Sequence, residues 1–371
     1  MKISLSSSQL LAGMMMVAKA IPSKTSNPIL ENFLCEAEGT TLTLTASDGE
    51  ITLKTILEVD EVEESGRIAI PAKQITELLK ELPDQPLKVH TLENNCFECT
   101  WLNGNSTFPY VDADDFPAVA GVDESAIEIS MPTETLTEGI SSTVYATSDD
   151  ESRPVLNAIL FDIDVDSTTM VASDTHKLIC YTTGDIQTQE KASFILHKKP
   201  ANILKNILGK EETVKVNFDG KTAIFTFGDT VATCRLLNGK YPAYRNVIPT
   251  NNSSILKIDR VQLLNAVKRV AVCANKASNQ IRVDLSEGKI EITSQDTGFN
   301  TKAFERISCL YEGEDLSIGF KSTFLVEILS NMGCNEIEIK FADARKPALI
   351  KPVDEEMGKE KVCGIVMPIM F

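Results

Sequence analysis

Three stretches of the 371-residue chain resemble one another in order and spacing. Each opens on a short alternating run typical of a β-strand, continues into a helix-like pattern, and later reaches a second strand-like run that ends in aspartate. The three aspartates are Asp48, Asp174 and Asp296, which lie 126 and 122 residues apart. A unit of about 124 residues is too long for a solenoid repeat, so each copy is predicted to be a domain.

The repeat accounts for the whole chain, and we place the three domains at residues 1–122, 123–251 and 252–371. The boundaries fall in polar, turn-rich segments near residues 121–123 and 249–254. Each domain of this length is large enough to bury its own hydrophobic core.

Each third divides again into two similar halves, in which a strand is followed by a helix and then by further strands. The helical stretches carry one apolar stripe, as at Ile75, Leu79 and Leu82, so each helix should cover one face of a sheet. Asp219 and Gly220 separate two alternating runs and predict a tight hairpin. The expected fold is therefore α+β, built from six strand–helix–strands modules.

The net charge of −17 argues against a protein that holds nucleic acid through an overall basic surface, although it allows a locally basic face. Nine cysteines are scattered along the chain, and this odd, unpaired spacing predicts free thiols in a reducing compartment. Cys96 and Cys99 form one CxxC within an alternating run, where they face opposite sides of a strand. We interpret them as core cysteines; half of a zinc site is the alternative, and no metal site is predicted.

The N-terminal segment imitates a secretory signal peptide, because Lys2 is followed by an apolar run over residues 10–17. The same strand-then-helix opening recurs near residues 127 and 256, where no signal can act, so the segment is expected to belong to the first domain. No apolar run approaches the ~20 residues that span a bilayer. A cytoplasmic protein without a membrane partner is expected.

Catalytic motifs are missing from the sequence. Gly220 and Lys221 resemble the end of a P-loop, but the position that needs a glycine is Lys215, so nucleotide binding is not expected there. The three histidines leave little material for acid–base or metal chemistry. No catalytic residue and no cofactor is predicted.

The repeated aspartates favour a structural turn over catalysis, because an active site is rarely needed three times in one chain. One alternative is a hydrolase on the repeated scaffold that uses Asp174 and His176. A second alternative is a three-domain protein-interaction scaffold.

Five segments carry a family resemblance, in order and along the whole chain: DFP at 115–117, NAILF at 157–161, ASDTHKL at 172–178, LNGKYPAYR at 237–245 and VMPIMF at 366–371. In these the chain resembles the bacterial DNA polymerase III beta subunits, the DNA sliding clamps. The resemblance implies three similar clamp domains per chain and a head-to-tail homodimer. It also implies a closed ring with helices inside and sheets outside, encircling double-stranded DNA independently of sequence, and a non-catalytic processivity factor for replication.

The resemblance also implies a hydrophobic cleft between the second and third domains that binds peptides of partner proteins. The positions that match it are Arg153, Leu156, Ser173, Thr175, His176, Lys177, Leu178, Pro242, Val247, Phe324, Ile365, Val366, Met367, Pro368, Ile369 and Phe371. Thr175 stands where a glycine is common in the family, so the cleft is expected to be narrower there. The alternative for the last residues is an ordinary C-terminal strand packed on its own domain.

DNA contacts are expected at Lys24, Lys198, Lys199 and Lys205. An acidic exterior with a mildly basic bore suits a ring that slides, because strong phosphate contacts would slow its movement. Asp150 departs from a polar amide used in some of the family, which puts contact at that loop in doubt. The alternative for these lysines is an ordinary solvated helix face.

The dimer interface is expected to bring Phe108 of one chain near Val272 and Cys273 of the next, sheet edge to sheet edge. Many sliding clamps carry basic residues near positions 103–105 and acidic ones near 298–304. Residues 103–105 are Asn-Gly-Asn and residues 298–301 are Gly-Phe-Asn-Thr, so both charge partners are missing. We expect a more apolar interface that depends weakly on salt.

The partners that the resemblance implies are duplex DNA, a second copy of the chain, the DNA polymerase III catalytic subunit and the clamp loader. Other clamp-binding replication and repair proteins complete the set. Any ATP would be used by the separate loader.

Overall fold

A computed structural model describes residues 1–186, 188, 190–209, 211–353 and 361–370. Across these residues the chain forms six α-helices and 26 β-strands. The helices are α1 (Ser7–Val17), α2 (Ala72–Glu81), α3 (Thr133–Thr143), α4 (Lys198–Ile207), α5 (Arg260–Ala271) and α6 (Ser322–Asn331).

The strands are short and are spread over the whole described chain. In the first half they are β1 (Lys2–Ser6), β2 (Asn32–Glu38), β3 (Thr41–Ser47), β4 (Ile51–Glu58), β5 (Glu61–Glu64), β6 (Gly66–Pro71), β7 (Pro86–Leu92), β8 (Cys96–Trp101), β9 (Gly104–Pro109), β10 (Ile127–Pro132), β11 (Ala158–Ile163), β12 (Thr168–Ser173) and β13 (Lys177–Thr183). In the second half they are β14 (Ala192–His197), β15 (Thr213–Phe218), β16 (Thr222–Phe227), β17 (Thr230–Arg235), β18 (Ser254–Asp259), β19 (Gln280–Ser286), β20 (Lys289–Asp296), β21 (Thr301–Ser308), β22 (Leu310–Glu312), β23 (Leu316–Lys321), β24 (Glu336–Phe341), β25 (Ala348–Pro352) and β26 (Lys361–Val366).

Each α-helix begins at the residue after a strand, namely after β1, β6, β10, β14, β18 and β23. This order confirms the six modules predicted from the sequence. Side-chain caps start two of the helices: the Ser6 side chain accepts the N–H of Gln9 before α1, and Asp259 Oδ1 accepts the N–H of Gln262 at 2.6 Å before α5. The predicted hairpin at Asp219 joins β15 to β16.

The apolar stripes of the helices are buried as expected. Ile75 and Leu79 of α2 are almost fully buried, as are Ile328 and Leu329 of α6. Helix α1 packs on α2, and α5 packs on α6. Burying a stripe of this kind stabilises the fold by about 2 kcal/mol per large side chain. This gain fixes which face of each helix meets its sheet.

The contacts group the chain into two compact units. The first consists of Met1–Thr133 and Asn202–Leu236. It contains a five-stranded sheet in the order β5-β1-β7-β8-β9 and an eight-stranded sheet in the order β10-β15-β16-β17-β4-β3-β2-β6. The pairing of β17 with β4 therefore joins strands from the first and second sequence repeats in one sheet.

The second unit consists of Glu134–Ala201 and the described chain from Leu237 onward. It contains a nine-stranded sheet in the order β14-β11-β12-β13-β26-β25-β24-β18-β22 and a four-stranded sheet in the order β21-β20-β19-β23. Here β13 pairs with β26, which joins strands of the second and third repeats.

The turn-rich segments at 121–123 and 249–253 contain neither helix nor strand. The three domain boundaries themselves stay a prediction. In the part of the chain that the structure describes, no helix has the length and apolar character to cross a membrane.

Candidate functional site

An apolar cleft of about 220 Å³ lies in the second unit. The residues that line it are Leu156, Ser173, Thr175, His176, Lys177, Leu178, Tyr241, Pro242, Ala243, Tyr244, Val247, Ile365 and Met367. The sequence predicted most of these positions and missed Tyr241, Ala243 and Tyr244. The missed residues lie inside the segment 237–245 that carried the family resemblance, so the signal was present in the sequence.

The turn between β12 and β13 forms one rim of the cleft. Asp174 Oδ1 accepts the backbone N–H groups of His176 and Lys177 at 2.9 and 2.8 Å. The Ser173 hydroxyl donates to the Lys177 carbonyl at 2.8 Å. These bonds use short polar side chains to close the turn on itself, which holds the rim in one shape.

The two other repeated aspartates make the same kind of bond. Asp48 Oδ1 accepts the N–H groups of Glu50 and Ile51, both at 2.8 Å. Asp296 Oδ1 accepts the N–H of Gly298 at 2.8 Å. The structural role predicted for the aspartates is confirmed.

Thr175 adopts a left-handed backbone with φ of +78° at the tip of the rim turn. Gly49 follows Asp48 in the corresponding turn of the first repeat and has φ of +88°. Only glycine takes this conformation without strain, so the β-branched Thr175 is held there by the surrounding bonds.

The C-terminal strand β26 forms the wall that adjoins this rim. β26 pairs with β13 on one side and with β25 on the other, so it belongs to both repeats. The Met367 N–H donates to the His176 carbonyl at 2.8 Å, which ties the wall to the rim. Ile365 and Met367 line the cleft while Val366 between them is fully buried in the sheet.

The remaining C-terminal positions in the predicted set lie beyond that wall. Pro368 is partly buried, and the N–H of Ile369 donates to the Gly319 carbonyl at 2.9 Å. Phe371 lies outside the described residues.

Lys177 is buried below the rim, with only 5% of its side chain exposed. Its Nζ lies 2.6 Å from Asp174 Oδ2 and 2.9 Å from Glu327 Oε2. Burial alone would lower the pKa of Lys177, but hydrogen bonds to Asp174 and Glu327 outweigh it and raise the pKa above its ordinary value. The ammonium is therefore a structural cation that joins the rim to helix α6.

A polar recess of about 660 Å³ shares several residues with the cleft. Phe324 lies in it, with the His176 ring stacked at 5.6 Å and Lys321 Nζ 4.7 Å from its centroid. Arg153 also lines the recess, and its Nε lies 4.0 Å from Asp150 Oδ2. The predicted positions Arg153 and Phe324 thus lie beside the apolar cleft and not in it.

Two tyrosines form the floor of the cleft, and both are more than nine-tenths buried. The Tyr244 hydroxyl donates to Asp162 Oδ2 at 2.7 Å. Burial, together with this bond to a carboxylate, raises the pKa of Tyr244, and burial raises the pKa of Tyr241. Neutral rings here keep the floor apolar.

The predicted DNA-contact lysines lie on two segments. Lys24 is exposed in the loop after β1 and α1, and Lys199 is exposed in the first turn of α4. Lys205 is partly buried in the last turn of α4. Lys198 Nζ contacts the Ser148 carbonyl at 2.8 Å and pairs with a neighbouring carboxylate, so its charge is partly engaged within the chain.

One predicted interface residue lies on the end strand of a sheet, and the other two directly follow a helix. Phe108 is on β9, the end strand of the five-stranded sheet, and its ring lies 5.6 Å from that of Phe97. Val272 is 70% exposed directly after α5, and Cys273 is partly buried. The neighbouring end strand β21 carries Phe304, which is 55% exposed.

The arrangement around His176 does not support hydrolysis. Both Asp174 oxygens are occupied, one by two backbone N–H groups and the other by Lys177. The His176 ring stacks on Phe324, so Asp174 is not placed to orient the imidazole as a general base. No group of three or more metal-ligating side chains occurs within the residues described.

Comparison with known proteins gives a consistent result over the whole chain. Family models of the DNA polymerase III beta subunit match residues 1–120 (N-terminal domain), 130–243 (central domain) and 245–369 (C-terminal domain). A beta sliding clamp of Synechococcus elongatus is 29% identical, with all of both chains covered.

Solved structures agree with these matches. A DnaN sliding clamp (DNA polymerase III subunit beta) from Pseudomonas aeruginosa, crystallised bound to griselimycin, has a TM-score of 0.94 and 26% identity over 100% of both chains. The DNA polymerase III beta subunit of Thermotoga maritima has a TM-score of 0.91 and 27% identity, over 100% of this chain and 99% of that one.

Proposed function

As a member of the DNA polymerase III beta subunit family this chain is a DNA sliding clamp of three clamp-fold domains, and we propose that it works as a closed head-to-tail homodimer threaded by duplex DNA. The family is non-catalytic, so the chain has no enzymatic activity of its own. The match of three consecutive domain models over nearly the whole chain carries the assignment as a sliding clamp.

Two end strands support closure into a ring. β9 ends one sheet of the first unit and β21 ends one sheet of the second. An end strand has backbone groups available to pair with another chain. Head-to-tail contacts close into a ring when the rotation between copies allows it. The proposed contacts are Phe108 of one chain with Val272 and Cys273 of the next.

Duplex DNA would be held loosely and without regard to sequence. The net charge of −17 keeps overall affinity low, while Lys24, Lys199 and Lys205 supply local positive charge. Lys198 would contribute less, because it is paired with Asp149. A clamp of this kind works where the chromosome is replicated, so the cytoplasm is the proposed location.

The apolar cleft is the proposed docking site for short peptide segments of the polymerase III catalytic subunit, the clamp loader and other replication or repair proteins. Its Met, Leu, Ile and Val side chains suit an aliphatic or aromatic anchor. The adjoining recess with Arg153 would receive polar residues of the same peptide. The Pseudomonas neighbour binds griselimycin, so a protein of this fold carries a ligand-binding surface.

Retention on DNA tests the ring. The full chain is loaded with a clamp loader onto nicked circular DNA, isolated by gel filtration, and the DNA is then cut once. The clamp should stay on the circle and leave after linearisation, because topology and not affinity holds it. Equal loss from circular and linear DNA would contradict the ring and would support the alternative, a protein-interaction scaffold that never encircles DNA.

Polymerase stimulation tests the cleft. Met367→Ala removes a side chain that lines the cleft and is 38% exposed, and it should weaken polymerase stimulation about tenfold. Met15→Ala is the matched control, because Met15 is 41% exposed and lies on α1 in the other unit. Equal activity of the two variants would rule out the proposed docking site.

A further inference from the structure

Two cysteines face each other across the seam where β13 meets β26. Cys180 and Cys363 are direct partners in the antiparallel register, within an unbroken run of pairs from Lys177–Val366 to Thr182–Lys361. Both are free thiols. Positions 180 and 363 are far apart in the sequence. Only the tertiary structure therefore brings the two cysteines together.

The geometry of the pair matches what a disulfide needs. Directly opposed residues of an antiparallel ladder have Cα atoms about 4.5 or 5.5 Å apart, depending on the pair type. Disulfides join residues whose Cα atoms are about 4.4–6.8 Å apart, so either pair type falls within range. Side chains of directly opposed residues lie on the same face of the sheet, so the register places the two thiols side by side.

We propose that Cys180 and Cys363 are a redox modification site, at which a peroxide converts the two thiols into a reversible disulfide that links β13 to β26. The pair is reduced at rest in a reducing compartment. Nothing about DNA or partner binding is required for the reaction.

The environment assigns different roles to the two sulfurs. Cys363 is partly exposed, whereas Cys180 is 3% exposed, so a small oxidant reaches Cys363 first. Interaction with the neighbouring Cys180 thiol and, less strongly, with the Lys351 ammonium lowers the pKa of Cys363, whereas interaction with Cys363 and burial raise the pKa of Cys180. Cys363 is therefore the attacking thiolate and Cys180 the resolving thiol.

The reaction balances with hydrogen peroxide as the oxidant. The Cys363 thiolate attacks one peroxide oxygen, the O–O bond breaks, and a sulfenic acid and hydroxide form. The Cys180 sulfur then attacks the sulfenic sulfur, the S–O bond breaks, and the S–S bond forms. The two thiol protons, together with the two hydrogens and two oxygens of the peroxide, leave as two waters; each sulfur is oxidised by one electron and the peroxide is reduced by two.

The position of the pair gives the modification a structural effect. Cys180 belongs to the same buried cluster as Leu178, Tyr244 and Ile365, and Cys363 packs against that cluster. Those three residues line the apolar cleft. In the reduced chain hydrogen bonds link β13 to β26 at this position. A disulfide would add a covalent link next to the cleft and would so hold the C-terminal wall of the cleft to its rim.

Peptide mapping tests the proposal on the full chain. The protein is treated with hydrogen peroxide, unreacted thiols are alkylated under denaturing conditions, and the digest is analysed by mass spectrometry. A cross-linked peptide that contains Cys180 and Cys363, lighter by two hydrogens and split by dithiothreitol, is expected. Thermal unfolding of the oxidised chain should shift upward by about 5 °C, because the link restricts the unfolded state.

Three variants sharpen the test. Cys363→Ser and Cys180→Ser should each abolish both the cross-link and the thermal shift. Because Cys363 is partly exposed, Cys363→Ser should fold and still test the proposal if Cys180→Ser does not fold. Cys309→Ser is the control, because Cys309 is also partly exposed but is not in a strand pair, and it should change neither readout. Oxidation of Cys363 to sulfinic acid with Cys180 left as a thiol, or cross-links that join other cysteines equally, would overturn the proposal.

Discussion

At the scale of single residues, the rim of the cleft is held by polar side chains that compensate for a strained backbone. Thr175 has φ of +78°, a conformation that costs a non-glycine residue about 1–3 kcal/mol. Asp174 and Ser173 offset this by bonding the backbone of the two residues that follow Thr175: Asp174 Oδ1 accepts the His176 N–H, and the Ser173 hydroxyl donates to the Lys177 carbonyl. A residue with an exposed side chain is thereby fixed in place at the entrance to the cleft.

Thr175→Gly should stabilise the chain by about 1 kcal/mol, because relief of the strain exceeds the extra freedom that glycine gains on unfolding. Thermal unfolding measures the shift. The reverse change, Gly49→Thr, is the matched control: Gly49 has φ of +88° and open space around it, so only backbone strain should act and stability should fall. Destabilisation by Thr175→Gly would show that the threonine side chain makes a contact worth more than the strain.

At the scale of elements, one buried cation joins the β12–β13 turn to helix α6. Lys177 pairs with Asp174 on its own turn and with Glu327, which is 150 positions further along the chain. A buried pair is costly to break because the remaining charges are left without a partner. The ion pair therefore sets the position of α6 and Phe324 beside the cleft.

Lys177→Met should destabilise the chain by about 2 kcal/mol, which is less than the ~3–5 kcal/mol typical of breaking a fully buried pair, because Glu327 is 44% exposed. Lys321→Met is the control. Lys177 Nζ lies 4.9 Å and Lys321 Nζ 4.7 Å from the centroid of the Phe324 ring, but Lys321 forms no ion pair among the described residues. Chemical denaturation at neutral pH compares the two. Equal losses would mean that the ring contact and not the ion pair matters.

The same pair predicts a pH dependence at the alkaline end. The pKa of Lys177 is raised in the folded chain above its ordinary value of 10.5. The stability that Lys177 contributes is therefore fully present at pH values below about 10.4, which is its pKa in the unfolded chain. It is lost as the pH rises through its pKa in the folded chain. The difference in denaturation midpoint between the wild-type chain and Lys177→Met should stay constant from neutral pH to that point and shrink above it.

At the scale of the whole molecule, the proposed dimer depends on exposed apolar groups on end strands and on the turns beside them. Residues 103–105 and 298–301 contain no charged side chain, while Val272, Phe299 and Phe304 are all more than half exposed. Apolar burial is insensitive to moderate salt, whereas pairs of exposed charges are screened. The interface should therefore resist a modest rise in ionic strength.

Val272→Glu should convert the dimer to monomer, because a carboxylate would be buried without a partner. Leu310→Glu is the matched control, since Leu310 is 71% exposed against 70% for Val272 but lies on β22, the end strand of another sheet. Analytical ultracentrifugation at low and moderate salt gives both readouts. Dissociation of the wild-type dimer on a modest rise in salt would contradict the apolar interface.

The sequence by itself determined the features that depend on local patterns. Side-chain periodicity showed the six strand–helix modules, because a helix or strand exposes its period within a few residues. The aspartates marked their hairpin turns for the same reason, since Asp48 and Asp174 bond to groups two and three residues away. Most of the cleft positions followed from the family resemblance.

Only the tertiary structure decided which distant strands meet. The pairing of β17 with β4 and of β13 with β26 merges repeats into shared sheets, and it leaves no local signal because register is set by packing across the sheet. The burial of Lys177 against Glu327 and the placement of Cys180 opposite Cys363 follow from that second pairing. A periodic sequence specifies each module, and the free energy of packing one module on another specifies the cleft.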